Sequence, residues 1–200
     1  MTSDATPGLG YVHHALFFES DDELVQVAVA FLQEGLAAGD AVVLACEARR
    51  NRLLADALGG DSRVGFLERS STYLRIPVAV ATYRRMVERE LATGASRVRL
   101  VGEVDFGQDA ATSSEWIRYE AVCNVALAPY PLWSVCAYDC STLPEPILRA
   151  GHHTHPHLLT PRPDAAVTTA TCSRPGSCAD HLPPGPTRWR RPTRPWSPGS

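Results

Sequence analysis

Lysine is missing from this chain of 200 residues; all 19 basic side chains are arginine. That omission excludes a lysine Schiff base, a lysine phosphate ligand and a lysine general base. Long apolar runs are missing too, and none approaches the roughly 20 residues that span a bilayer. Residues 1–10 lack the basic start and apolar stretch of a signal peptide. A cytoplasmic protein is expected, so its six cysteines read as thiols rather than a disulfide framework. No CxxC pair and no closed zinc spacing is present.

A phosphate-binding loop is absent as well. Such a loop needs a glycine-rich turn whose amides cradle oxygens, usually with lysine at the helix start. After the first apolar run stands Glu19-Ser20-Asp21-Asp22-Glu23, with four carboxylates and no glycine. A P-loop ATPase is excluded, and a dinucleotide fingerprint is missing at the same place. Charge divides the chain further. Residues 161–200 carry nine of the 16 prolines and six arginines against Asp164 and Asp180, near +4; the other 160 residues hold about −7 (−3 minus +4). An acidic body argues against direct nucleic-acid binding. After Thr160 the periodicity stops, and a segment of that composition buries too little apolar surface to order itself. The expected organisation is a flexible 1–10, one domain over 11–160, and a disordered Pro/Arg-rich tail over 161–200.

What is present is a globular body, with 44% apolar residues. A strand is expected over 12–18. Ser20 and Glu23 form a capping box before Leu24, Val27, Ala28, Phe31, Leu32 and Leu36, which recur at helical spacing up to Gly39. Strands at 41–46, 63–67, 98–101, 132–138 and 157–160 alternate with helices at 48–58, 77–91 and 144–150. Thr112 and Glu115 suggest a second capping box, opening a helix to about 128. Alternation of this kind implies an α/β fold: a mainly parallel sheet with helices on both faces, three layers deep.

Ligands of open parallel sheets bind beyond the carboxyl ends of the strands. Glu19, Ser20, Glu47, Glu103, Asp105, Tyr138, Asp139 and Cys140 collect there, as an acidic or metal-assisted site would, and as strand ends and helix caps also do. His152, His153, His155 and His157 form a dense run that reads as surface-loop histidines. Cys136 and Cys140 have acidic neighbours, which disfavour a thiolate, so both read as packing thiols. Trp116, Glu120, Asn124 and Leu127 share one helical face. A carboxylate in such a stripe must find hydrogen-bond partners.

Several segments together resemble the MEDS family, the methanogen/methylotroph sensory domain named partly for a dichloromethane-responsive regulator. They are His14-Ala-Leu-Phe-Phe, the acidic helix cap, Phe31-Leu-Gln-Glu-Gly-Leu-Ala-Ala-Gly-Asp40 and Val98-Arg-Leu-Val-Gly-Glu103. Trp116-Ile-Arg-Tyr-Glu120 with Asn124, Cys136-Ala-Tyr-Asp139 with Leu143-Pro144, and His155-Pro156 complete the series. The similarity runs in order from about His13 to Leu159. It implies a RecA-like three-layer αβα fold, related to circadian-clock ATPases but without their nucleotide loop. It also implies a sensory role, proposed for small hydrocarbon derivatives, rather than catalysis, with no cofactor. In actinobacterial relatives a histidine-kinase-like ATPase, acting as an anti-sigma-factor kinase, often follows the domain. Beyond Thr160 this sequence shows neither that module nor a DNA-binding helix pair.

Carried over by position, the expected ligand-binding residues are His14, Glu103, Trp116, Glu120, Asn124, Tyr138, Asp139 and His155. Glu103 and Asp139 would accept hydrogen bonds, His14 and His155 would donate to the ligand or hold those carboxylates, and Trp116 and Tyr138 would wall the site. A buried polar network that only fixes the fold is the competing reading of the same set. Three functions stay open: a sensor of a small organic molecule acting through a signalling partner, a partner-switching module without ligand, and a metal protein or hydrolase built on Glu103, Asp139 and His155.

Overall fold

The computed structural model describes residues 10–160 and the backbone of a strand at 168–171. The strands are β1 (Val12–Phe18), β2 (Ala41–Ala45), β3 (Val64–Phe66), β4 (Val98–Gly102), β5 (Leu132–Asp139), β6 (His157–Thr160) and β7 (Thr168–Thr171). The helices are α1 (Asp21–Ala38), α2 (Ala48–Ala57), α3 (Arg69–Thr72), α4 (Ile76–Ala92), α5 (Ala110–Ala126) and α6 (Glu145–Thr154). All the strands lie in one sheet, in the order β3-β2-β4-β5-β1-β6-β7. The first six pair in parallel, and β7 joins β6 antiparallel. This is the expected α/β architecture.

Local chemistry explains most boundaries. Ser20 caps α1 by accepting from the Glu23 amide, while the Glu23 carboxylate accepts from the Glu19 amide at 2.9 Å. Gly39 ends α1 in the left-handed region at φ 77°, where a side chain is disfavoured. Three boundaries differ from expectation. α5 begins at Ala110 because Asp109 is its cap, accepting from the Ala111 and Thr112 amides; Thr112 donates its hydroxyl to Asp109 and caps nothing. α3 is a single turn capped by Glu68, too short to show apolar periodicity. α6 continues through His152 and His153 to Thr154, so half of the histidine run is helical rather than loop.

β7 takes four residues from the segment expected as a tail. Residues 1–9, 161–167 and 172–200, with Cys172 and Cys178, lie outside the described residues. Among those described, no helix is long and apolar enough to cross a membrane.

Both faces of the sheet are covered. Leu16 and Phe18 pack with Leu24, Phe31 and Leu32 of α1 and Leu54 of α2. Ala15 and Tyr138 pack with Tyr83 and Met86 of α4, Tyr119 and Cys123 of α5 and Ile147 of α6. Each buried Leu or Phe contributes ~1.5–3 kcal/mol. Alternation along β1 therefore sends His13 toward α5 and His14 toward α1. Along β5, Cys136 and Tyr138 take the first direction and Asp139 the second. Two polar clusters result, one on each face.

Candidate functional site

The first cluster lies at the carboxyl edge, on the α1–α2 face. Arg50, in the first turn of α2, reaches across three strand ends. Its guanidinium donates to Glu103 at 2.6 Å, Asp139 at 2.5 Å and Asp21 at 3.1 Å, and it lies 4.8 Å from the centre of the Phe18 ring. Glu103 also accepts from the Glu47 amide, and Asp139 from the Ser141 amide and hydroxyl. Burial acts to raise the Asp139 carboxyl, but Ser141 and Arg50 outweigh it and hold it below its ordinary value. Asp21, also bound by Arg49, is drawn down to about 2, mainly by that arginine. The acidic turn therefore carries its own counter-ions. Its lack of glycine and lysine, rather than bare negative charge, is what separates it from a phosphate cradle.

The second cluster is enclosed between the sheet and helices α5 and α6. Glu120 of α5 is 2% exposed, as are His13 of β1 and His155 at the α6–β6 junction. His13 Nε2 lies 3.3 Å from Glu120 Oε2 and 3.2 Å from Cys136 Sγ. His155 Nε2 lies 3.6 Å from the same carboxylate oxygen, and Cys136 Sγ is also 3.6 Å from it. Tyr138 donates to Glu120 Oε1 at 3.3 Å.

Hydrogen bonding fixes the orientation of both imidazoles. Asn124 spends its amide N–H groups on the Thr154 and Glu120 carbonyls, so its oxygen accepts from His13 Nδ1 at 3.0 Å. His155 Nδ1 meets the Gly151 carbonyl at 2.8 Å. A carbonyl only accepts, so that nitrogen carries the proton. Burial and the nearby His13 push the His155 pKa down to about 3. The ring is neutral, and its Nε2 lone pair has no hydrogen-bond donor. Burial tends to raise the Glu120 carboxyl, but the His13 contact prevails and lowers it. Burial and Glu120 raise the Cys136 thiol. His13, Glu120 and Cys136 also line an internal cavity of about 10 Å³, roughly the space of one water.

Between the β4–α5 and β5–α6 connections a larger cleft opens, of about 660 Å³. Val104, Phe106, Ile117, Leu143 and Ile147 form its apolar walls, and Arg69, Asp105, Ser113 and Thr142 supply polar groups. Phe106 meets Tyr138 ring to ring at 5.9 Å, linking the cleft to the second cluster.

The model of one protein family, the MEthanogen/methylotroph, DcmR Sensory domain, matches residues 12–156. The chain belongs to the MEDS family. No curated protein matches it.

Within this MEDS fold the eight expected site residues separate. Glu120, Asn124, Tyr138 and His155 come together in the second cluster, and Glu103 and Asp139 in the first. His14 joins neither cluster: it lies on the sheet face opposite His155, where Trp133 donates to its Nδ1 at 2.8 Å and His157 lies against it. Burial lowers its pKa to about 4. Trp116 packs edge-on against Tyr73 and Tyr119 in the core. The proposed constellation of Glu103, Asp139 and His155 does not form, because Arg50 holds the two carboxylates while His155 turns to Glu120. None of the eight lines the large cleft.

Sequence reasoning missed His13, Cys136 and Arg50. The pair His13-His14 did carry a signal, since neighbours on a strand face opposite sides. Arg50 could be suspected from its place. A cation in the first turn of a helix opposes the dipole unless carboxylates wait nearby.

Proposed function

We propose that this MEDS domain is the sensing module of a bacterial signalling pathway, binding a small organic molecule in the cleft and acting through a partner protein, with transcription as its output. The observation that carries this reading is the cleft itself. It lies beyond the carboxyl ends of β4 and β5, where open parallel sheets bind ligands. Its volume and its mainly apolar wall with a few polar groups suit a small organic ligand. Binding is favoured over catalysis because burial raises Cys46, Cys123 and Cys136, so none of these three is an activated thiolate. Occupancy would press on Phe106 and reach Glu120 through Tyr138.

Thermal-shift titration tests the reading with short-chain alcohols, amines and haloalkanes. A ligand at 100 times its Kd stabilises by about 2.7 kcal/mol. Ile117→Trp, which fills the cleft, should abolish the shift while leaving the unliganded melting temperature near that of the wild type. A shift that survives Ile117→Trp undiminished places the ligand elsewhere.

A further inference from the structure

We propose that His13, Glu120, Cys136 and His155, three of them buried and Cys136 partly so, form a four-ligand site for a divalent metal ion of the zinc type. The site is separate from the ligand cleft and does not depend on the sensory reading. Their four donor atoms all lie within 4.8 Å of one another. Bonds of ~2.0–2.3 Å arranged tetrahedrally place neighbouring ligand atoms ~3.3–3.8 Å apart. The His13–Glu120, His155–Glu120 and Cys136–Glu120 separations are 3.3, 3.6 and 3.6 Å, and His13–Cys136 is 3.2 Å. Four of the six edges are thus within about 0.2 Å of tetrahedral length, and the other two lie within 4.8 Å.

The surroundings are those of a ligand set. Each imidazole is anchored through Nδ1 on an oxygen, His13 on Asn124 and His155 on Gly151. This outer shell turns Nε2 inward, as metal-bound histidines require. His155 Nε2 is buried, aimed into the cluster and without a donor. A neutral imidazole facing a carboxylate oxygen sets two acceptors against each other, and a cation between them removes that conflict. Charge closes as well. A divalent ion with one carboxylate and one thiolate is neutral overall, which limits the desolvation cost of burying it. Binding releases the Cys136 thiol proton to solvent.

The donor set is two nitrogens, one sulfur and one oxygen. It suits borderline ions such as zinc and disfavours magnesium or calcium, which take oxygen ligands. Four protein ligands leave no open position, so the site is structural or regulatory rather than hydrolytic. The ligands come from β1, α5, β5 and the α6–β6 junction, so the ion would clamp both helices to the sheet.

The test uses the full chain, purified without a histidine tag, stripped by chelator and titrated anaerobically with cobalt(II) and zinc. One equivalent per chain is expected, with tetrahedral d–d bands and a thiolate-to-cobalt charge-transfer band. Cys136→Ser should remove the charge-transfer band. His153→Ala and the pair Cys172→Ser/Cys178→Ser should keep it, excluding adventitious ligands. Asn124→Ala, which frees His13, should weaken binding ~10–100-fold. A folded wild-type chain that takes up no stoichiometric metal overturns the proposal. A charge-transfer band that persists in Cys136→Ser overturns it too. Should that variant not fold, X-ray absorption on the zinc-loaded wild type decides: two imidazoles and one sulfur support the site, and a shell without sulfur rejects it.

Discussion

Arg50 holds three carboxylates from three segments, and each also has a second role: Asp21 in the first turn of α1, Glu103 on the Glu47 amide, Asp139 in the turn after β5. Its side chain is 13% exposed, and those of Glu103 and Asp139 are 9% and 8% exposed. Removing the cation would leave two nearly buried carboxylates facing each other. Breaking a fully buried pair costs ~3–5 kcal/mol; at a sheet edge, where water can approach, Arg50→Met should cost about 2–4 kcal/mol in urea denaturation. Adding Glu103→Gln and Asp139→Asn should recover part of the loss, because neutral amides need no counter-charge. A loss under about 0.5 kcal/mol would class these contacts with exposed surface pairs and remove Arg50 as the organiser of this edge.

Among the elements, α6 is seated tightly on the sheet at one glycine. A Cβ built on Gly151 would stand 2.9 Å from Tyr138 Cζ and 3.1 Å from Phe17 Cζ. Phe17 also stacks on His152 at 3.9 Å. Helix propensity alone makes Gly→Ala favourable by ~1 kcal/mol. Here both rings are packed and cannot withdraw, so Gly151→Ala should instead destabilise by ~1–3 kcal/mol, read as a lowered urea midpoint at unchanged slope. A raised midpoint would mean that α6 slides without cost. The same element marks where the sequence stops being legible. β1, β6 and the ends of α1 were readable because apolar runs, a Ser cap and a left-handed glycine act locally. The extension of α6 was not, since His152 looks like a loop residue until Phe17 is placed beneath it. At α5 two polar residues, Asp109 and Thr112, offer alternative caps three residues apart, and only the path of the preceding loop makes Asp109 the winner. In the site, the Glu120–Asn124 spacing was legible because i and i+4 share a helix face. That His13 rather than His14 joins them was not, because the face of β1 that α5 covers depends on the order of all the strands.

At the scale of the whole molecule, the sheet carries one polar cluster on each side, and β5 supplies both by alternation: Cys136 and Tyr138 to one, Asp139 to the other. The permanent cations are all arginines and never titrate in the working range, so the response to acid is set by carboxylates together with the buried neutral histidines His14 and His155, held at about 4 and about 3 against about 6.5 when unfolded. Asp21 is drawn down to about 2 and Asp139 below its ordinary value, against about 3.9 when unfolded. With folded values below unfolded ones, the unfolded chain binds more protons in this window. The carboxylate part of stability is then fully present above about pH 4 and falls as pH drops through the folded values, while the histidine part is fully present above about pH 6.5 and falls as pH drops toward 4 and 3. Losing carboxylate charge also leaves 19 arginines unopposed, and self-repulsion adds to the effect. Urea midpoints measured from pH 5 to pH 2.5 should therefore decline throughout the interval, with the carboxylate contribution added below about pH 4. Arg50→Met, already lacking one of the interactions that lower Asp139 and part of that on Asp21, should decline less over the same interval. Parallel curves for the two proteins would show that the Arg50 cluster does not contribute to the acid response.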